Sequence, residues 1–118
     1  MVTYKIPLAM VTVREYVDSN GRSIFAKWFA SLNAQAAAKV TTALIRIEQG
    51  NFSNAKGVGA GVYESRIDSG PGYRIYFGKD GATIVILLGG GTKRHQNQDI
   101  LSARNCWHDF KARKLKET

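Results

Sequence analysis

Two spacings of apolar residues divide the chain. Phe25, Trp28, Phe29 and Leu32 recur at helical intervals, as do Ala37, Val40, Leu44 and Ile47, and later Ile100, Ala103, Trp107 and Phe110. Each set predicts a helix with one buried face. The turn-forming cluster Asp18–Ser23 offers N-caps for the first helix, Asn33 caps the second, and Gly50 stands where a C′ glycine ends it. So short a joint between the first two predicts an antiparallel helical hairpin. The third helix is expected from about His95 to Arg113.

Shorter apolar runs, rich in β-branched and aromatic residues, predict strands over Met10–Tyr16, Val62–Ile67, Tyr73–Phe77 and Thr83–Leu88. Asp68–Gly72 joins the second run to the third, and Asp80-Gly81, a favoured hairpin dipeptide, lies between the third and fourth. The glycine-rich stretch from Asn51 to Gly61 reads as loop. The pattern predicts one α+β domain over residues 1–118: an N-terminal strand, a helical hairpin on an antiparallel meander, and a C-terminal helix.

Pairing the strands from their turns sets Ile67 opposite Tyr73, Arg66 opposite Arg74 and Glu64 opposite Tyr76. Alternation then collects Glu64, Arg66, Arg74 and Tyr76 on one side of the sheet. Across the next turn, Lys79 opposite Ala82 puts Tyr76 beside Val85 and Arg74 beside Leu87. The other side gathers Tyr73, Ile75, Phe77, Ile84, Ile86 and Leu88, an apolar face for the helical hairpin. Two arginines directly opposite one another repel, a cost that a purely structural sheet has no reason to carry. Glu64 is placed to neutralise both in part. The four side chains are therefore either a solvated outer face or a site.

Composition narrows the choice. The 118 residues carry 17 Lys and Arg against 9 Asp and Glu, a formal charge of +8, and the segment from Lys93 onward supplies about half of the excess. Such a charge attracts polyanions with salt-dependent affinity. No apolar run reaches the length of a membrane span, and the first residues lack the basic and apolar regions of a leader. One cysteine, Cys106, allows no internal disulfide, and the expected location is the cytoplasm. With two histidines, His95 and His108, it offers no metal-ligand spacing, so no metal or other cofactor is expected. "GVGAGV" leads into a strand instead of following one, and "LLGGGTKR" lacks phosphate-loop spacing.

What remains is a phosphodiester site of cations and phenols. Cleaving RNA requires a proton to leave the 2′-OH, charge on a phosphorane to be stabilised, and the 5′-oxygen to be protonated. Arginines stabilise the phosphorane with forked hydrogen bonds, a lysine or tyrosine moves protons if nearby positive charge lowers its pKa, and tyrosines stack unpaired bases.

The strings "GVYESRIDSGPGYRIYF" and "ILLGGGTKRHQNQDILSA" resemble the HigB-like branch (phage-derived addiction-module killer proteins) of the RelE/ParE toxin–antitoxin superfamily. Its members show G-V-x-E-x-R-x-x-x-G-P-G-Y-R-x-Y and then G-G-x-K-x-x-Q-x-x-D-I. The resemblance implies a toxin that cuts messenger RNA on the ribosome without a metal and is neutralised by a cognate antitoxin, often a helix-turn-helix protein. It implies catalytic roles for Arg66, Arg74, Tyr76 and Lys93. Arg66 and Arg74 would hold the scissile phosphate, Tyr76 would stack a base or orient the 2′-OH, and Lys93 would supply charge or a proton. Lys56, Tyr63, Arg94, His95, Lys111 and Arg113 are the further RNA-binding candidates, the last two part of a basic tail with Lys114 and Lys116. Gln96 and Asp99 fall in the second motif; Gln96 reads as a capping residue, and the role of Asp99 is open. The superfamily also holds ParE-like toxins that bind DNA gyrase and do no chemistry, and an inactive antitoxin-binding relic is a third reading.

Overall fold

The computed structural model describes residues 10–117. Residues 1–9, read above as lacking a leader pattern, and Thr118 lie outside the described residues. The elements run β1 (Thr12–Glu15), α1 (Ile24–Ala30), α2 (Ala34–Glu48), β2 (Ala55–Gly57), β3 (Val62–Ile67), β4 (Tyr73–Lys79), β5 (Ile84–Thr92), a 3₁₀ turn (Lys93–His95) and α3 (Gln96–Glu117). They form one α+β fold around a five-stranded sheet of order β1-β5-β4-β3-β2. β1 joins β5 in parallel and the other pairings are antiparallel.

The helix starts are set by local hydrogen bonding. The Ser23 hydroxyl accepts from the Ala26 N–H at 3.0 Å, and the Asn33 side chain accepts from the Ala36 N–H at 2.9 Å, each satisfying a donor that the helix itself leaves free. Gly50, with φ of 80°, stands just past the α2 C-cap. No helix among the described residues is long and apolar enough to cross a membrane.

Both faces of the sheet are covered. On one, Phe25, Val40 and Ile47 of the helical hairpin pack against Ile75, Phe77, Val85 and Leu87. On the other, Ala103, Cys106 and Trp107 of α3 pack against Val62, Tyr76, Ile86 and Leu88. The β3–β4 register has Ile67 opposite Tyr73, Arg66 opposite Arg74 and Glu64 opposite Tyr76, as the turn predicts.

The β4–β5 register corrects the sequence reading. Lys79 pairs with Val85 and not Ala82, Tyr76 with Gly89 and Arg74 with Gly91, with an irregularity between Tyr76 and Phe77. The odd offset turns β5 over, so Val85 and Leu87 face the helical hairpin and Ile86 and Leu88 face α3. A strand that is apolar on both sides carries no alternation to fix its face. The stretch expected to be loop also contains β2, which pairs with β3.

The glycines of β5 let the covering layers come close. A Cβ at Gly90 would stand 2.2 Å from the Trp28 ring, and one at Gly91 would stand 1.9 Å from Asp99 Oδ2. Gly90→Ala is expected to cost about 2 kcal/mol, because the Trp28 ring must leave its seat. Gly57→Ala, with open space around the added methyl, is expected to stay within about 0.5 kcal/mol of the parent. Urea denaturation of the two variants checks the contrast.

Candidate functional site

Alternation along β3 and β4 sends Glu64, Arg66, Arg74 and Tyr76 to the side of the sheet that α3 covers, and β2 adds Lys56 directly opposite Glu64. The centre of this group is Glu64, whose side chain is wholly buried. Its Oε1 lies 3.6 Å from Arg74 Nε, 3.7 Å from Arg66 Nε and 4.0 Å from Lys56 Nζ. Its Oε2 accepts a 2.8 Å hydrogen bond from Gln96 Nε2 at the start of α3. The facing arginines are thus held around a shared carboxylate, which offsets their repulsion. Arg74 is buried beside it; Arg66 and Lys56 are about half exposed.

One carbonyl ties the turn to the end of β5. Gly72 O accepts from Arg74 Nη1 at 2.8 Å and from the Lys93 N–H at 3.0 Å. Gly72 has φ of 72°, and a Cβ there would sit 3.3 Å from Arg74 Nη1 and 3.6 Å from Lys93 Cβ. Glycine at this position brings Arg74 and Lys93 together. Arg94 and His95 follow, exposed on the 3₁₀ turn.

Tyr76 is wholly buried, so its ring offers no face to an incoming base. Burial is the main cause of a phenol pKa raised far above its ordinary value; the negative charges of Glu64 and Asp99 add to it, and Arg74 only partly opposes them. The expectation that nearby cations lower this pKa is therefore reversed, and the phenol stays neutral. The Asp99 carboxyl is pushed up by burial, with His95 acting in the opposite direction. Asp99 Oδ2, Tyr76 OH, Glu64 Oε1 and Arg74 Nε are all buried without a hydrogen-bond partner, although the last two belong to an ion pair. Native folds leave few such groups, and here four belong to one stretch of sheet and the helix over it.

The structure gathers Lys56, Arg66, Arg74, Tyr76 and Lys93, with Arg94 and His95 following directly after Lys93. It separates the other candidates from them. Tyr63 points to the opposite face, where its ring stacks on Phe77 at 5.6 Å and Lys79 Nζ lies 4.8 Å from its centroid. Lys111 lies over Trp107, and Arg113 pairs with Asp109 at 2.9 Å and donates to Val17 O beyond the end of β1. β1 is the sheet edge opposite the one that carries Lys56. Gln96 is a correction, since its amide reaches Glu64 instead of capping a helix. Asp99 has its place against Gly91, and a glycine in a strand is the sequence signal for such an approach. Among the described residues, no three His, Cys, Asp or Glu side chains are grouped so as to hold a metal ion.

A five-stranded sheet with a helical hairpin on one face and a long C-terminal helix on the other is a RelE-like fold. A double arginine-to-alanine mutant of the Escherichia coli toxin RelE in the free state superposes with a TM-score of 0.59, covering 80% of this chain and 94% of that one at 14% identity. In sequence, the chain is 42% identical over 81 residues to an uncharacterized protein of Haemophilus influenzae, a match spanning 68% of this chain and 82% of the relative. The chain belongs to the family of that protein. No protein-family model matches it.

Two expectations test the cluster. Glu64→Gln removes the charge that compensates buried Arg74 and is expected to cost about 3 kcal/mol, measured by urea denaturation. Asp99→Asn tests the buried acid. Because the native pKa is raised, the ionisation-linked stability is complete below the ordinary carboxylate range and is lost as pH rises through the native value. The Asn variant should therefore gain thermal stability over the parent near pH 7, and the gain should shrink toward pH of about 4.

Proposed function

We propose that this protein is a type II toxin of the HigB-like branch, a ribosome-associated, metal-independent endoribonuclease that cuts messenger RNA and halts translation. The observation that carries the reading is the gathering of Lys56, Arg66 and Arg74 around one buried carboxylate on a RelE-like sheet, with Lys93 joined to Arg74 through the Gly72 carbonyl. A sheet face meant only to pack would not concentrate cations this way. A non-enzymatic gyrase binder of the same fold would not need them.

In this reading the 2′-OH gives up its proton, O2′ attacks the adjacent phosphorus, the P–O5′ bond breaks, and the 5′-oxygen takes a proton. Arg66 and Lys93, exposed at the rim, contact the phosphate and stabilise the charge that develops on it. Arg74 is a positioning residue beneath them, fixed between Glu64 and Gly72 O. Tyr76 is a neutral, buried support and not a stacking platform. His95, on the turn after Lys93, carries the type of side chain suited to proton transfer near neutrality. Arg94 and Lys56 extend the cationic rim along the RNA backbone. A helix-turn-helix antitoxin is the expected partner and the cytoplasm the expected compartment.

The experiment is messenger-RNA 5′-end mapping in cells shortly after induction, with Arg66→Ala and Lys93→Ala alongside the parent. Cuts within translated frames are expected for the parent, with yields about 100-fold lower in Arg66→Ala. Growth arrest with intact messages and broken DNA would move the answer to gyrase. Absence of both arrest and cutting would leave antitoxin binding as the remaining role.

A further inference from the structure

A cleft of about 330 Å³ opens between α2 and the end of β3. Its volume falls within the range of about 300–1,000 Å³ typical of sites that hold small organic groups. Half-buried Ala43 and Ile67 supply its apolar floor, and its rim carries Lys39, Arg46 and Arg66 against a single acid, Asp68. Lys39 and Arg46 are seven residues apart on α2, which places them on one face of the helix. Both are exposed, and neither is in an ion pair among the described residues.

Arg66 is the junction. It is the one member of the Glu64 cluster that also lines this cleft. Its backbone N–H donates to Asn54 O at 3.3 Å, which ties the loop forming one wall of the cleft to β3. A strand of RNA held at Arg66 therefore passes from the cationic cluster directly into a compartment with an apolar floor and two uncommitted cations.

We propose that the cleft between α2 and the end of β3 is a nucleotide subsite for single-stranded RNA, seating the nucleotide next to the scissile phosphate. Lys39 and Arg46 take its phosphate, and Ala43 and Ile67 take the flat face of its base or sugar. The proposal rests on the nuclease reading for its substrate, but its residues stand apart from those given chemical roles. An acidic peptide could satisfy the cations but would leave the apolar floor unused and would have no reason to follow Arg66.

The test is fluorescence-anisotropy titration of an oligoribonucleotide of about eight residues, 2′-O-methylated so that it cannot be cut, over a series of salt concentrations. The variants are Lys39→Ala/Arg46→Ala, the cleft-filling Thr42→Trp, and Arg66→Ala. Arg22→Ala/Lys27→Ala controls for removal of two charges elsewhere. The cleft double variant is expected to bind about ten-fold more weakly, with the salt slope reduced by about 1.4, the value for two lost contacts to a single strand. Thr42→Trp should weaken binding with its charge unchanged, and the control should bind nearly as the parent does.

If Arg66→Ala weakens binding while the cleft variants match the control, the subsite is overturned and the nuclease reading stands. If the parent shows no measurable affinity for the oligoribonucleotide and cuts no messages in cells, both fall together. If the cleft variants lose binding of a glutamate-rich peptide and keep that of RNA, the cleft is a peptide site and the proposal is wrong.

Discussion

Everything at this site depends on one carboxylate being out of water. Glu64 sits under α3 with no exposure, and three cations from three neighbouring strands converge on the same oxygen. Burying a charge alone is costly, and burying one beside partners is tolerable only when those partners are held in place. Here the holding is distributed. The Gly72 carbonyl fixes Arg74, the β2–β3 pairing fixes Lys56, and Gln96 takes the second carboxylate oxygen. The positive charges that would otherwise drive β3 and β4 apart are in this way tied to the sheet's interior while two of them still reach solvent.

The consequence is a division of labour by depth. Arg74 and Tyr76 lie inside, one paired and one neutral, and neither meets a large ligand without rearrangement. Arg66, Lys56 and Lys93 lie at the rim, where they keep the mobility and hydration of surface cations. A deep layer that sets geometry beneath a shallow layer that makes contact is the arrangement a pre-organised electrostatic site requires.

Much of this was legible in the sequence, and the reasons separate cleanly by residue. The β3–β4 register followed from Asp68–Gly72, because a short glycine-rich turn leaves little freedom, and with it came the grouping of Glu64, Arg66, Arg74 and Tyr76. The β5 face was not legible, since Ile84 to Leu88 are apolar on both sides. β2 was not legible either, because Ala-Lys-Gly has neither alternation nor β-branched residues, and in sequence Lys56 looks like part of a loop. The depth of Tyr76 was hidden because the strands do not reveal that α3 closes over their charged side. Tyr63 lies on the other face from this cluster, as alternation from Glu64 requires.

The glycines of β5 make the sheet thin where the site lies. At Gly90 the Trp28 ring presses on the backbone from one side, and at the next residue Asp99 presses from the other. Side chains normally pad a sheet and let its two coverings move somewhat independently; here there is no padding. A displacement of the strand toward the hairpin is at once a displacement away from Asp99, so the two layers meet across a membrane of bare backbone. The helical hairpin, which holds no residue of the Glu64 cluster, is in that sense a wall of the site as well as of the core.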